Sequence, residues 1–457
     1  MDNGDTRYLL AEAARRAAAY LDALDGRPAG PLPGAAETLA DALDRPLPEE
    51  GRDAQDILAF LDDFGSPATV ASAGARYFGF VTGGTLPASL AANYLAGAWD
   101  QNSFSQVSSP AIAAFEATAL RWIKEALGIP MVAEGALVTG ATMAHFTGLA
   151  AARNRVLKRA GWDVDADGLF GAPEVTVVVG EEAHATLFKV LSMLGLGRKR
   201  VVRLPCDDQG RILARDLPEI APPAIVCLQA GNVNSGAFDP AEPLIGWARE
   251  AGAWVHVDGA FGLWALASPD RADLAKGVAA ADSWALDAHK WLNVPYDSGI
   301  ALVADAGALT DAMAISGAYL MSGERREAMN VTPESSRRAR AVDIWAALSA
   351  LGRRGVSELV ERNCRQASEL AHGLRQAGIE ILNDVVLNQI VASFGSDGRT
   401  RAVVARIQDE GECWCGATVW HGRAAMRISI SSWATTDEDI ERALSAMLKA
   451  DRDVPRD

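Results

Sequence analysis

WVHVDG at 254–259, DSWALDAHK at 282–290 and GIALVAD at 299–305 are the stretches that decide the fold. Each is a short, nearly continuous apolar run closed by glycine or by polar residues. Such runs are strands buried on both faces, because a half-exposed strand would alternate apolar with polar. GALVTG at 135–140, VTVVVG at 175–180, KRVVRL at 199–204 and AIVCLQAG at 224–231 have the same texture. Segments at helical spacing lie between them: TMAHFTGLAAARNRVLKR, HATLFKVLSML and a stretch at about 241–251. The alternation predicts an α/β protein with a seven-stranded, mainly parallel sheet covered on both sides. Ligands of such sheets sit at the carboxyl ends of the strands.

The flanks read differently. Residues 7–24 and about 52–64 have helical periodicity, with a Gly/Pro-dense linker at 26–34. This arm is too small to hold its own core, so it is expected to pack on another domain or on a second subunit. After residue 339 come two helices (339–355 and 356–377), short strands near 379–382, 389–394, 417–420 and 425–430, and a helix at 437–449. The expected division is a helical arm 1–65, a large domain 66–350 and a small C-terminal α+β domain 351–457. The net charge of -16 argues against nucleic acid as a partner. The N-terminus lacks the apolar stretch of a signal peptide, and no apolar run is long enough to span a bilayer. A cytoplasmic protein is expected. Cys413 and Cys415 read as two free thiols on a strand, because no second Cys/His pair lies nearby to complete a metal site.

Four strand ends carry chemistry. Gly140-Ala141-Thr142 is a small-residue turn opening a helix, either an ordinary cap or a phosphate cradle. His184 starts the next helix. Asp258 follows WVHV, with Gly259 and Ala260 behind it. His289 and Lys290 follow SWALD. A lysine in an apolar setting is a usable nucleophile, since burial favours the neutral amine. Together these residues fit pyridoxal 5'-phosphate, which needs a lysine for its aldehyde, a carboxylate for its pyridinium nitrogen and a phosphate cradle. His184, His256 and His289 fall at or beside strand ends; His145, His372 and His421 lie elsewhere.

DAHKWLN at 287–293, HVDGAFG at 256–262, EEAHATLFK at 181–189 and GNVNSGAFDP at 231–240 resemble the group II pyridoxal-phosphate decarboxylases, over most of the chain and in the family's order. The resemblance implies a fold-type I enzyme and a homodimer with active sites at the interface. It implies Lys290 as the Schiff-base lysine, Asp258 on the ring nitrogen, and His184 and Ala260 on opposite ring faces. It further places Gly140, Ala141, Thr142 and His289 at the phosphate, and Asn234 near the ring hydroxyl. Tyr77, Phe78, Phe80 and Phe104 would approach a partner's active site as substrate contacts, or else pack in the core; Trp99 reads as core. Catalysis is assigned to Lys290, His184 and Asp258.

The expected activity is decarboxylation of an L-amino acid, with an aromatic substrate favoured by the 77–104 aromatics. One departure opens an alternative. Family members use a lid tyrosine for protonation, and the corresponding segment 320–338 has none; the nearest is Tyr319. Either His184 supplies the proton, or the enzyme is an aldehyde synthase or another carbon–carbon lyase or transferase. Arg427 is read as structural or as a substrate-carboxylate anchor, and Arg76 as a contact for a distal carboxylate.

Overall fold

The structure, a computed structural model, describes residues 3–315 and 326–456. Among these, eleven strands form two sheets. The larger contains Glu134–Val138 (β1), Thr176–Gly180 (β2), Val202–Leu204 (β3), Ala224–Gln229 (β4), Trp254–Asp258 (β5), Ser283–Asp287 (β6) and Gly299–Val303 (β7). Their order is β1-β7-β6-β5-β4-β2-β3. β2 to β6 pair in parallel, and β7 runs antiparallel to both its neighbours.

Every residue of β4 to β7 is buried, which is why these strands lack a polar alternation. Successive side chains still go to opposite faces. Val226, Leu228, Trp284 and Leu286 enter one apolar cluster, whereas Ile225, Cys227 and Ala285 enter the other. The helix Ala141–Arg159 covers that second face. It lies so close that a Cβ on its Gly148 would come within 3.0 Å of the His256 ring.

The second sheet is antiparallel and ordered β10-β11-β9-β8, from Glu380–Ile381 (β8), Gln389–Ser393 (β9), Gly416–Trp420 (β10) and Arg423–Ser429 (β11). It has its own core around Ile390, Val403, Met426 and Ile428. The two helices expected after residue 339 form one span, Arg340–Gln376, broken at Gly352, whose φ of 60° no helix accommodates. Cys413 and Cys415 are buried in this core just before β10 rather than on a strand.

Several helices escaped the periodicity reading, three of them of thirteen residues or more. Pro87–Trp99 and Pro110–Leu127 both start with proline at the first helical position and end on a left-handed residue, Asp100 or Gly128. Asp397–Glu410 is capped by Ser396 and stopped by left-handed Gly411. Its buried stripe, Thr400, Val403, Val404 and Ile407, is narrow on an otherwise polar surface. Trp99 is corrected: it is 42% exposed, stacked on Phe115 at the end of its helix rather than in the core. The helix Ala35–Leu43 and the helical turns over 54–68 bury no residue.

Candidate active site

The site lies where β5 and β6 end side by side. Gly259 N donates to Ala285 O and Asp287 N donates to Ala260 O, both at 2.9 Å. The two loops therefore leave the sheet together, one carrying Asp258 and the other Asp287, His289 and Lys290.

Asp258 is buried, and its Oδ1 accepts the Ala260 amide at 3.1 Å. Its Oδ2 lies 3.4 Å from His145 Nε2. Burial alone would raise this carboxyl; His145, with His184 and Lys290, outweighs burial and holds it well below the usual carboxylate range. The sequence reading had put His145 away from the site, which the structure corrects. His145 sits one turn into the helix after Gly140, on the buried stripe of Ala141, Ala144 and Gly148. That helical spacing was the available signal.

Lys290 Nζ sits 3.0 Å from Asp287 Oδ2, so the expected purely apolar setting is corrected: the amine has a buried counter-ion. His289 Nε2 is 3.6 Å from the same oxygen, and its Nδ1 accepts the Ser298 amide at 3.0 Å. Burial pushes His289 below its ordinary range, and Tyr296 stacks on its ring at 4.3 Å. The turn at Gly140 rests on this ring, since a Cβ there would lie 3.2 Å from His289 Cε1. Gly140 caps the helix without a side-chain bond to its first amides, and Thr142 is half-buried in the first turn. Asp287, given no role by the sequence reading, holds both the lysine and the histidine.

His184 caps its own helix: Nδ1 takes the Thr186 amide at 3.4 Å and lies 2.7 Å from the Thr186 hydroxyl. Burial lowers its titration, so the ring is neutral at neutral pH, with its proton on Nε2. Arg427, on β11, is also desolvated. Among the described residues it has no ion pair, and its charge is felt at His184. Asn234 Oδ1 is taken by the Thr418 hydroxyl at 2.9 Å, leaving Nδ2 available.

The aromatic candidates divide. Phe78 is 1% exposed in the small-sheet core, and its reading as a substrate contact is corrected to core packing. Tyr77 and Phe80 flank Trp414 at 5.0 and 5.4 Å, with Phe80 open to solvent. Phe104 is half-buried, and its carbonyl accepts the Met329 amide. Arg76 is corrected too: it is spent on Asp25 and Asp439, each at 2.6 Å, and on the Glu412 carbonyl. In the lid segment, residues 320–325 and the nearby Tyr319 lie outside the described residues.

These residues fit pyridoxal phosphate. Asp287 Oδ1 is buried without a hydrogen-bond partner among the described residues, the turn at Gly140 leaves its helix start uncapped, and an ionised carboxylate and a lysine stand at adjacent strand ends. The pyridoxal-dependent decarboxylase conserved domain matches residues 37–394. The chain belongs to this family. It is therefore a pyridoxal-phosphate-dependent carboxy-lyase acting on amino acids. This decarboxylase is 25% identical to an aromatic-L-amino-acid decarboxylase of Bacillus atrophaeus, over 75% of this chain and 72% of the relative. It is 25% identical to tryptophan decarboxylase 1 of Oryza sativa subsp. japonica, over 82% and 80%. The solved structure of Oryza sativa TDC with PLP and tryptamine superposes at a TM-score of 0.92, with 22% identity and 99% of each chain covered. The decarboxylase also shares its fold with a 4-hydroxyphenylacetaldehyde synthase of Rhodiola rosea, at a TM-score of 0.87, 20% identity and 99% coverage of each chain. No helix among its described residues is long and apolar enough to cross a membrane.

Proposed function

We propose that this decarboxylase removes the α-carboxylate of an aromatic L-amino acid and releases the amine. The observation that carries the reading is the pairing of a buried, ionised Asp258 with Lys290 at the ends of neighbouring strands. When bound, the cofactor's pyridinium ring takes up the electrons freed as the bond from Cα to the carboxylate breaks. Lys290 Nζ is the amine that holds the cofactor's aldehyde, and Asp258 keeps the ring nitrogen protonated. The amides of Ala141 and Thr142, following Gly140, hold the phosphate at the helix start, beside His289. His184 and Ala260 would lie over the two ring faces, and Asn234 Nδ2 would serve the ring hydroxyl.

Support for an aromatic substrate comes from the Tyr77, Trp414 and Phe80 cluster and from Arg76, whose charge is already consumed. Arg427 remains as a desolvated guanidinium without a carboxylate, suited to the substrate's α-carboxylate. Arg427→Met should raise KM by about tenfold to a hundredfold, the weight of one charge-assisted hydrogen bond, and leave the cofactor's visible absorbance intact. An unchanged KM would return Arg427 to a structural role.

A panel of amino acids, with headspace carbon dioxide and product mass spectrometry in air and without oxygen, tests the whole reading. Amine and carbon dioxide in equal amounts from an aromatic substrate are expected; faster turnover of acidic amino acids would overturn the substrate class. One observation favours a second reading, aldehyde synthesis: a neutral His184 is a weak proton donor. Oxygen uptake with hydrogen peroxide release would establish it, and stoichiometric amine without oxygen uptake would dismiss it.

The enzyme is proposed to work as a homodimer. Its helical arm leaves a cavity of about 1120 Å³, lined by Leu21, Leu24, Leu61, Leu90 and Tyr94, that a single chain leaves open. Light scattering giving the monomer mass at working concentration would contradict this. Its five free cysteines suit a reducing compartment such as the cytoplasm.

A further inference from the structure

Behind Asp258 runs a chain of polar groups that the proposed reaction does not explain. His145 Nε2 faces Asp258 Oδ2 at 3.4 Å, a close approach without full hydrogen-bond geometry, and has no other partner among the described residues. His145 Nδ1 is 2.9 Å from His256 Nε2. His256 Nδ1 is 2.7 Å from Ser283 Oγ, and Trp254 Nε1 donates to that same oxygen at 2.8 Å. His145, His256 and Ser283 are 0% exposed. His256 and Asp258 stand two apart on β5 and so point to one face of the sheet. The helix carrying His145 crosses that face, and a Cβ at position 148 would press on the His256 ring at 3.0 Å.

The polarity of the chain follows from its end groups. An indole N–H can only donate, so Trp254 occupies a lone pair of Ser283. In one arrangement the Ser283 hydroxyl then donates to His256 Nδ1. His256 donates through Nε2 to His145 Nδ1, and His145 presents Nε2–H to Asp258. Every proton points toward the carboxylate. Reversing the chain would put a lone pair of His145 Nε2 against an ionised oxygen in a dry interior, and would leave the Ser283 proton to find another acceptor. An ionised Asp258 selects the first arrangement. Burial drives His256 far below its ordinary range, in keeping with a neutral ring.

We propose that His145 is a positioning residue, and that Trp254, Ser283 and His256 set its tautomer so that its Nε2–H holds Asp258 in the orientation and charge state the cofactor's ring nitrogen requires. The inference rests on the cofactor reading above. A desolvated carboxylate deprived of this donor takes up a proton more readily and grips the pyridinium less well.

The test uses the full-length holoenzyme, with pyridoxal phosphate affinity measured by depletion and reconstitution beside the visible spectrum, kcat and KM. His145→Leu should weaken cofactor affinity and lower kcat, each by about tenfold, as expected for the loss of one polar group facing a buried charge, with substrate KM unchanged. His145→Gln, which restores an N–H near Nε2, should recover most of the loss. Ser283→Ala, remote from the cofactor and small in volume change, should shift affinity and kcat in the same direction by a smaller factor. Melting curves identify folded variants. A folded His145→Leu with wild-type affinity, spectrum and kcat overturns the proposal, as does a Ser283→Ala indistinguishable from wild type. If the wild-type protein takes up no cofactor, the reading of the site fails and the relay fails with it. A coloured wild type with unchanged variants sinks the relay alone.

Discussion

Lys290→Ala should abolish both the visible cofactor absorbance and turnover, with activity falling by more than about a thousandfold, as when a covalent catalytic group is removed. Lys290 Nζ sits 3.0 Å from Asp287 at the end of β6. The alanine variant also leaves Asp287 buried beside a neutral His289, which costs stability in its own right. Lys290→Arg separates the two effects. It keeps a cation for Asp287 but has no amine to hold the aldehyde, so the protein should melt close to wild type and still lack colour. A coloured, active Lys290→Arg protein would remove Lys290 from its assigned role.

Asp258→Asn should keep the colour and lose the rate. The substitution preserves shape, and Lys290 remains to hold the cofactor. What disappears is a negative charge that burial opposes and that His145, His184 and Lys290 sustain. Without it the ring nitrogen has no reason to stay protonated, and the ring becomes a poorer acceptor of electrons. kcat should fall by about 10²–10³-fold, the usual loss when one preorganised electrostatic group is removed. Wild-type Asp258 titrates well below the ordinary carboxylate range, so it is ionised at every ordinary working pH. An acid limb of the wild-type kcat profile in the ordinary carboxylate range would have to come from another group. Equal kcat for wild type and Asp258→Asn would contradict the electronic role.

The two variants divide the site along its two loops. Lys290 leaves β6 paired with Asp287, with His289 beside them; Asp258 leaves β5 with its polar neighbours behind it. Loss of colour belongs to the first loop, and loss of rate with retained colour to the second.

Six strands of the large sheet were legible because burial makes each an almost unbroken apolar run, β3 with its exposed Val202 and Arg203 being the exception, and the helices between them keep the period of 3.6. Lys290, Asp258, His184 and the turn at Gly140 were legible because the strand ends of such a sheet converge, so position along the chain already implied proximity. The helix Asp397–Glu410 was not, since its apolar stripe is only one residue or two per turn. Arg76 and Phe78 were misjudged for a related reason. Sequence places a side chain beside its neighbours in the chain, but Asp439 and the core around Met426 reach these residues from hundreds of positions away.

By itself, then, the sequence determined the sheet, its layering and the set of groups at the strand ends. Only the tertiary structure decided which partners those groups have. It set Asp287 against Lys290, left Arg427 without a counter-ion, and laid His145 across Asp258 and His256. The physical reason is that charge and proton placement depend on distances of 3 to 4 Å between separate elements. Those distances are set by how closely a helix packs on a sheet, here with no Cβ at Gly148 to press on the His256 ring.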